Sequence, residues 1–189
     1  MIEVKYTNWW AFNKREQSIE SALAKMDLYN KTNYCERKDK DEKLLEEVAL
    51  EAHRNEWVYY VTIYKNDSPF CFLEINKGFY RVCFLDEYAR KYLSYDFTDN
   101  FVNIKPDKLF LSHVVIWGFD RNTDKVIKTT SYSFNPNGVL RITERNLLTN
   151  EQIDREAQNK IDTTANWEDY PEFGEYDKLI QIERGLNNG

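Results

Sequence analysis

From residue 57 to 143 the chain reads as about six strands, mostly joined by turns too short for a crossover. WVYYVTIY (57–64), FCFLEI (70–75), FYRVCFL (79–85), LFLSHVVIW (109–117), KVIKTTSYSF (125–134) and VLRIT (139–143) are rich in β-branched and aromatic residues. Turn formers separate most of them: Asn66-Asp67-Ser68-Pro69, Asn76-Lys77-Gly78, residues 120–124, and Asn135-Pro136-Asn137-Gly138. A parallel neighbour needs a connection of about a dozen residues or more, so these links dictate antiparallel neighbours. Asn76-Lys77-Gly78 fits a three-residue hairpin loop with its glycine left-handed. In that register Cys71 faces Cys83, either as a redox pair or as two small core hydrophobes, and a reducing compartment favours the second.

The first third reads as helix. Asn13-x-x-Glu16 has the form of a capping box, and Ile19, Ala22, Leu23 and Met26 recur at helical spacing. A second start signal, Asp39-x-x-Glu42, precedes the stripe Leu44, Leu45, Val48, Ala49 and Ala52. Residues 86–95 read as a further short helix carrying Tyr88, Tyr92 and Leu93. Thr149-x-x-Gln152 opens another, with Ile153, Ala157 and Ile161 at steps of four. Helices first and strands after give an α+β fold. The expected architecture is N-terminal helices packed on a curved, mainly antiparallel sheet of about six strands, followed by an acidic C-terminal helical or irregular segment. One domain, 1–189, accommodates this: 1–55 mainly helical, 56–145 sheet, 146–189 acidic tail.

Charge is unevenly spread. The chain carries 26 Lys and Arg against 32 Asp and Glu, a balance of −6. From Glu144 onward there are 11 acids and 5 bases, which is the whole excess. Within that tail, WEDYPEFGEYD (167–177) sets an aromatic at every third position: Trp167, Tyr170, Phe173 and Tyr176. Glu168, Asp169, Glu172, Glu175 and Asp177 fill the gaps. Pro171 and Gly174 bar a helix, so an extended or tightly turning path is expected, presenting the rings in one direction. Rings supply contact area at small entropic cost, and carboxylates steer a basic partner. These nine residues are the candidate partner-binding site. The alternative is that the rings staple the tail down while the acids form its wet side. Leu179, Ile180 and Ile182 offer a last anchor before Asn187-Asn188-Gly189, which reads as flexible.

Catalytic and metal motifs are not found. The two histidines, His53 and His113, lack HExxH or His/Cys ligand spacing, there is no GxSxG elbow, and six scattered glycines make no phosphate cradle. No metal or other cofactor is expected. Net negative charge argues against a nucleic-acid backbone as partner. Three cysteines without CxxC suit a reducing cytoplasm, the N-terminus lacks a secretion-signal layout, and no apolar run reaches the length of a membrane span. The hydrophobic share, 42%, is that of a chain able to build a core rather than of a disordered one.

NWEDYPEFGEY (166–176), followed by DKLIQIER, resembles the immunity proteins of bacterial polymorphic toxin systems, those guarding against contact-dependent-inhibition or Rhs-type toxins. The resemblance implies a non-enzymatic inhibitor that binds a cognate toxin domain, often a basic nuclease. Two other readings stand beside it: a small hydrolase using carboxylates, favoured by a deep pocket with convergent acids near His113, and a structural or assembly protein.

Overall fold

The computed structural model describes residues 1–184. The chain forms two compact units, Met1–Arg90 and Lys91–Gly189. Asn187–Gly189, the stretch read as flexible, lies outside the described residues.

In the first unit, β1 (Ile2–Lys5) is followed by a small hairpin of β2 (Trp9–Trp10) and β3 (Arg15–Glu16). Helices α1 (Ile19–Asn30) and α2 (Glu42–Arg54) come next, then β4 (Tyr59–Lys65), β5 (Ser68–Asn76) and β6 (Phe79–Leu85). The strands pair antiparallel in the order β1-β4-β5-β6. Both helices start later than the capping boxes suggest. Residues 9–16 are held in the hairpin, so the cap of α1 is Ser18, whose hydroxyl accepts from Ser21 N at 3.3 Å. Asp41, not Asp39, caps α2, accepting from Leu44 N at 2.8 Å. The expected stripe of α2 is fully buried, and α2 packs on β4, itself buried over its first five residues.

Asn66 and Asp67 both take left-handed backbone, φ 50° and 61°, giving a two-residue hairpin turn. The next hairpin is tighter than expected. Asn76 pairs with Phe79, leaving Lys77 and Gly78 alone in the loop, with Gly78 at φ 62°. The one-residue shift puts Cys71 opposite Phe84 and Cys83 opposite Phe72, so the two thiols are not cross-strand partners. Both are buried.

In the second unit, β7 (Lys91–Thr98), β8 (Lys108–Phe119), β9 (Val126–Phe134), β10 (Leu140–Asn146) and β11 (Glu151–Glu156) form a continuous antiparallel meander. The short β12 (Trp167–Asp169) joins the start of β8.

The expectation of helices on about six strands is therefore overturned: among the described residues twelve strands lie in antiparallel ladders, six in each unit, beside two α-helices. Three assignments account for the difference. Residues 1–55 are not mainly helical, because β1 recruits the N-terminus to β4. The expected helix at 86–95 is a turn, Asp86 Oδ1 accepting from Tyr88 N and Arg90 N at 2.9 Å each, followed by β7. The expected helix after Thr149 is β11, tied to β10 by Arg141–Glu156 (3.0 Å) and Arg155–Glu144 (2.9 Å), and by the Thr143 hydroxyl donating to Asp154 (2.6 Å). The partners of β1 and of β11 lie on other strands, so local spacing could not report those two.

Candidate functional site

The acidic strip begins as a strand and continues as two turns. Trp167, Glu168 and Asp169 pair with Phe110, Leu109 and Lys108. The Asn166 amide donates to Leu111 O at 2.8 Å and seats the start of the strand. The Trp167 ring lies 4.7 Å from that of Phe110, with Lys105 over its face at 5.0 Å. Beyond Pro171 the chain turns at 172–175, Glu175 N donating to Glu172 O at 3.0 Å, with Gly174 at φ 87°. It turns again as Leu179 N and Ile180 N reach Tyr176 O. Tyr176, Leu179 and Ile180 are buried.

This path divides the nine candidate residues. Tyr176 is 2% exposed and is a core residue. Trp167 and Phe173 are half-buried, while Tyr170 is 37% exposed and its hydroxyl donates to Asp99 at 3.0 Å. The four rings thus do not form one outward array. Glu168 accepts from Arg184 Nη1 at 2.6 Å, with both side chains largely buried. Asp169 is held by Lys108 and by Lys178 at 3.3 Å. Hydrogen bonds from these two lysines, Lys108 foremost, keep the Asp169 carboxyl below its ordinary value. Glu168 and Asp169 are therefore committed inside the chain. Glu172, Glu175 and Asp177 are exposed and make no ion pair among the described residues. They border a groove of about 540 Å³, together with Asp169, Tyr170, Pro171, Gly174, Lys178 and Leu179. The structure brings these together into an open concavity with one half-exposed ring and a net negative lining.

His113, on β8, lies opposite Asp96 of β7 and Ser133 of β9. Its Nδ1 stands 3.7 Å from Asp96 Oδ2, beyond hydrogen-bond length. That row supplies one carboxylate and one imidazole, not the two convergent acids of a glycosidase-like site. A separate groove in the first unit, about 280 Å³, does gather Glu3, Glu16, Glu42 and Glu46, but Lys5 (3.7 Å from Glu16) and Lys43 share its walls, and Glu16 also accepts from the Tyr64 hydroxyl. His53 Nδ1 and the Tyr59 hydroxyl are 2.9 Å apart, a structural contact at the end of α2. The Cys71 thiol is pushed strongly upward by burial, the opposite of a reactive thiolate. No group of three or more His, Cys, Asp or Glu among the described residues is arranged to hold a metal ion. No helix among the described residues is long and apolar enough to cross a membrane.

Sequence reasoning found the strip but not its internal partners. Lys108 lies some sixty positions upstream, and no local signal pairs it with Asp169. Arg184 was legible in principle, since it is the base nearest the strip's end after Lys178. No protein-family model, curated protein or solved structure matches the chain at a significant level.

Proposed function

We propose that the chain is a non-enzymatic binding protein of the immunity type, acting in a reducing cytoplasm, which neutralises a basic bacterial toxin domain such as a nuclease. One observation carries this reading: Glu172, Glu175 and Asp177 stand exposed, outside the chain's own ion pairs, around a groove edged by Tyr170. Carboxylates already neutralised by Lys or Arg offer little to an incoming cation, whereas open ones steer it and pair with its arginines. The contact set is accordingly narrower than the full strip. Glu168, Asp169, Trp167 and Tyr176 build the platform; Tyr170, Glu172, Glu175 and Asp177, with the edge of Phe173, meet the partner. A nuclease site is shaped to hold phosphates, so three closely spaced carboxylates can occupy the same positive groove.

The test is calorimetry against a cognate toxin domain, sought in the gene beside this one. The triple variant E172Q/E175Q/D177N should bind at least about tenfold more weakly at physiological salt, since tenfold is only about 1.4 kcal/mol. It should also lose most of the salt dependence while keeping the wild-type unfolding midpoint. Unchanged affinity and unchanged salt slope in that variant would remove the groove from the interface.

A further inference from the structure

Strand β11 ends its ladder with a bare backbone edge. Ala157 N donates to Leu140 O at 2.9 Å, which sets the parity of the β10–β11 pairing. The amides of Glu151, Ile153 and Arg155 turn toward β10, and those of Gln152, Asp154 and Glu156 turn away from it. Among the described residues no further strand lies on that side, and all six residues are exposed. An edge of this kind is a template for another strand unless its side chains forbid it.

Here the side chains forbid most registers and complement one. We propose that β11 pairs with β11 of a second copy of this chain, antiparallel, about a two-fold axis through Ile153. Outward amides must meet outward amides, so the axis passes through a residue and not between two. With the axis at Ile153, Glu151 of each copy meets Arg155 of the other and Gln152 meets Asp154, each relation occurring twice, while Ile153 meets its own counterpart. The segment Glu151-Gln152-Ile153-Asp154-Arg155 is thus complementary to itself when reversed. Moving the axis to Asp154 sets two aspartates face to face and Ile153 against Arg155. Moving it to Gln152 sets Ile153 against Glu151 and Asp154 against Asn150.

The surroundings suit the central register. Ile153 is 49% exposed, and its counterpart would cover it. Arg155 is already held at the strand surface by Glu144 at 2.9 Å, and its planar fork retains donors for a second carboxylate. Six residues a side bury well under the roughly 1,200 Å² of a stable interface, so the dimer is weak and depends on concentration.

Sedimentation equilibrium of the full chain from about 10 µM to about 1 mM should show a monomer–dimer equilibrium, since millimolar association is the scale of so small an interface. R155E should weaken it at least about tenfold, because Glu151 then faces a glutamate, and the swap E151R/R155E should restore it to within about threefold. In a C35S background, I153C should cross-link to a disulfide dimer on mild oxidation and D154C should not, since only position 153 meets itself. Circular dichroism identical to wild type confirms that each variant is folded. A chain still monomeric at the top concentration, a charge swap that fails to restore association, or preferential cross-linking at 154 would each overturn the proposal.

Discussion

Replacing Glu168 by Gln isolates the strip's structural share from its binding share. The change keeps side-chain volume and the pairing of β12 with β8, and removes only the charge facing Arg184. That pair is 2.6 Å long, with the two side chains 17% and 9% exposed. Removing one member of a pair this deep strands the other charge, at a cost of about 3–5 kcal/mol when burial is complete. The guanidinium also lies over the rings of Phe97 (4.8 Å) and Tyr95 (5.8 Å), and donates to Lys178 O. These contacts remain in the variant and lower the expected loss to about 2–4 kcal/mol. For a chain of this size that corresponds to roughly 5–15 °C in the thermal midpoint. Urea and thermal unfolding followed by circular dichroism, at low and at 1 M salt, should show the loss, and the wild type should respond little to salt because the pair is shielded from solvent ions. The companion E168L/R184M, which leaves no stranded charge, should recover at least half of it. A loss under about 0.5 kcal/mol in E168Q, or a double variant as damaged as the sum of the singles, would refute the claim that this carboxylate is a foundation of the groove rather than part of its rim.

Two further outcomes rest on local geometry. Gly138 sits at φ 89°, and a Cβ there would meet Ile161 O at 2.8 Å and Lys160 Cβ at 2.9 Å, so Gly138→Ala should cost about 1–3 kcal/mol by urea unfolding. Gly118→Ala, whose nearest neighbour would be 3.6 Å away, should change little. Burial alone would raise the Asp27 carboxyl, but hydrogen bonds from Cys35 N, the Thr32 hydroxyl and Tyr34 N outweigh it and hold the group below its ordinary value. A folded value below the unfolded one gives stability that is complete above the unfolded pKa and lost as pH falls through the folded pKa. Asp27→Ala should therefore lose about 2–3 kcal/mol near neutrality, from two orphaned amides, and show a flatter acid limb below the ordinary carboxylate range; an acid limb as steep as wild type would contradict this assignment.

The sequence carried local information well and distant information poorly. Asn66-Asp67 is a turn signal because both residues tolerate left-handed backbone, and the chain turns there. The stripe from Leu44 to Ala52 is one face of a helix, and it is buried as such. The segment from Thr149 to Ile161 misled because its spacing of four also suits a strand whose other residues are charged. What decides its conformation is Arg141, Thr143 and Glu144 on a neighbouring strand, together with Asn150 in left-handed backbone at φ 58°. The N-terminal strand is only four residues long and finds its partner some sixty positions away, so no window could show it. The same limit governs the acidic strip. Its composition announces an anion-rich surface, but only the fold shows that Lys108, Lys178 and Arg184 absorb two of its five carboxylates.

Strand β8 serves two neighbours along a single edge: β12 over Lys108, Leu109 and Phe110, and β9 from His113 onward. It is therefore a shared rail. A pull on the tail, as when something grips the groove beyond β12, is delivered to the first residues of β8 and travels along the same length of backbone to the meander ending in β11. Tail and meander have no need of direct contact to feel each other's load. Amide exchange along residues 113–119 is the place where tension applied at residues 170–177 would be registered.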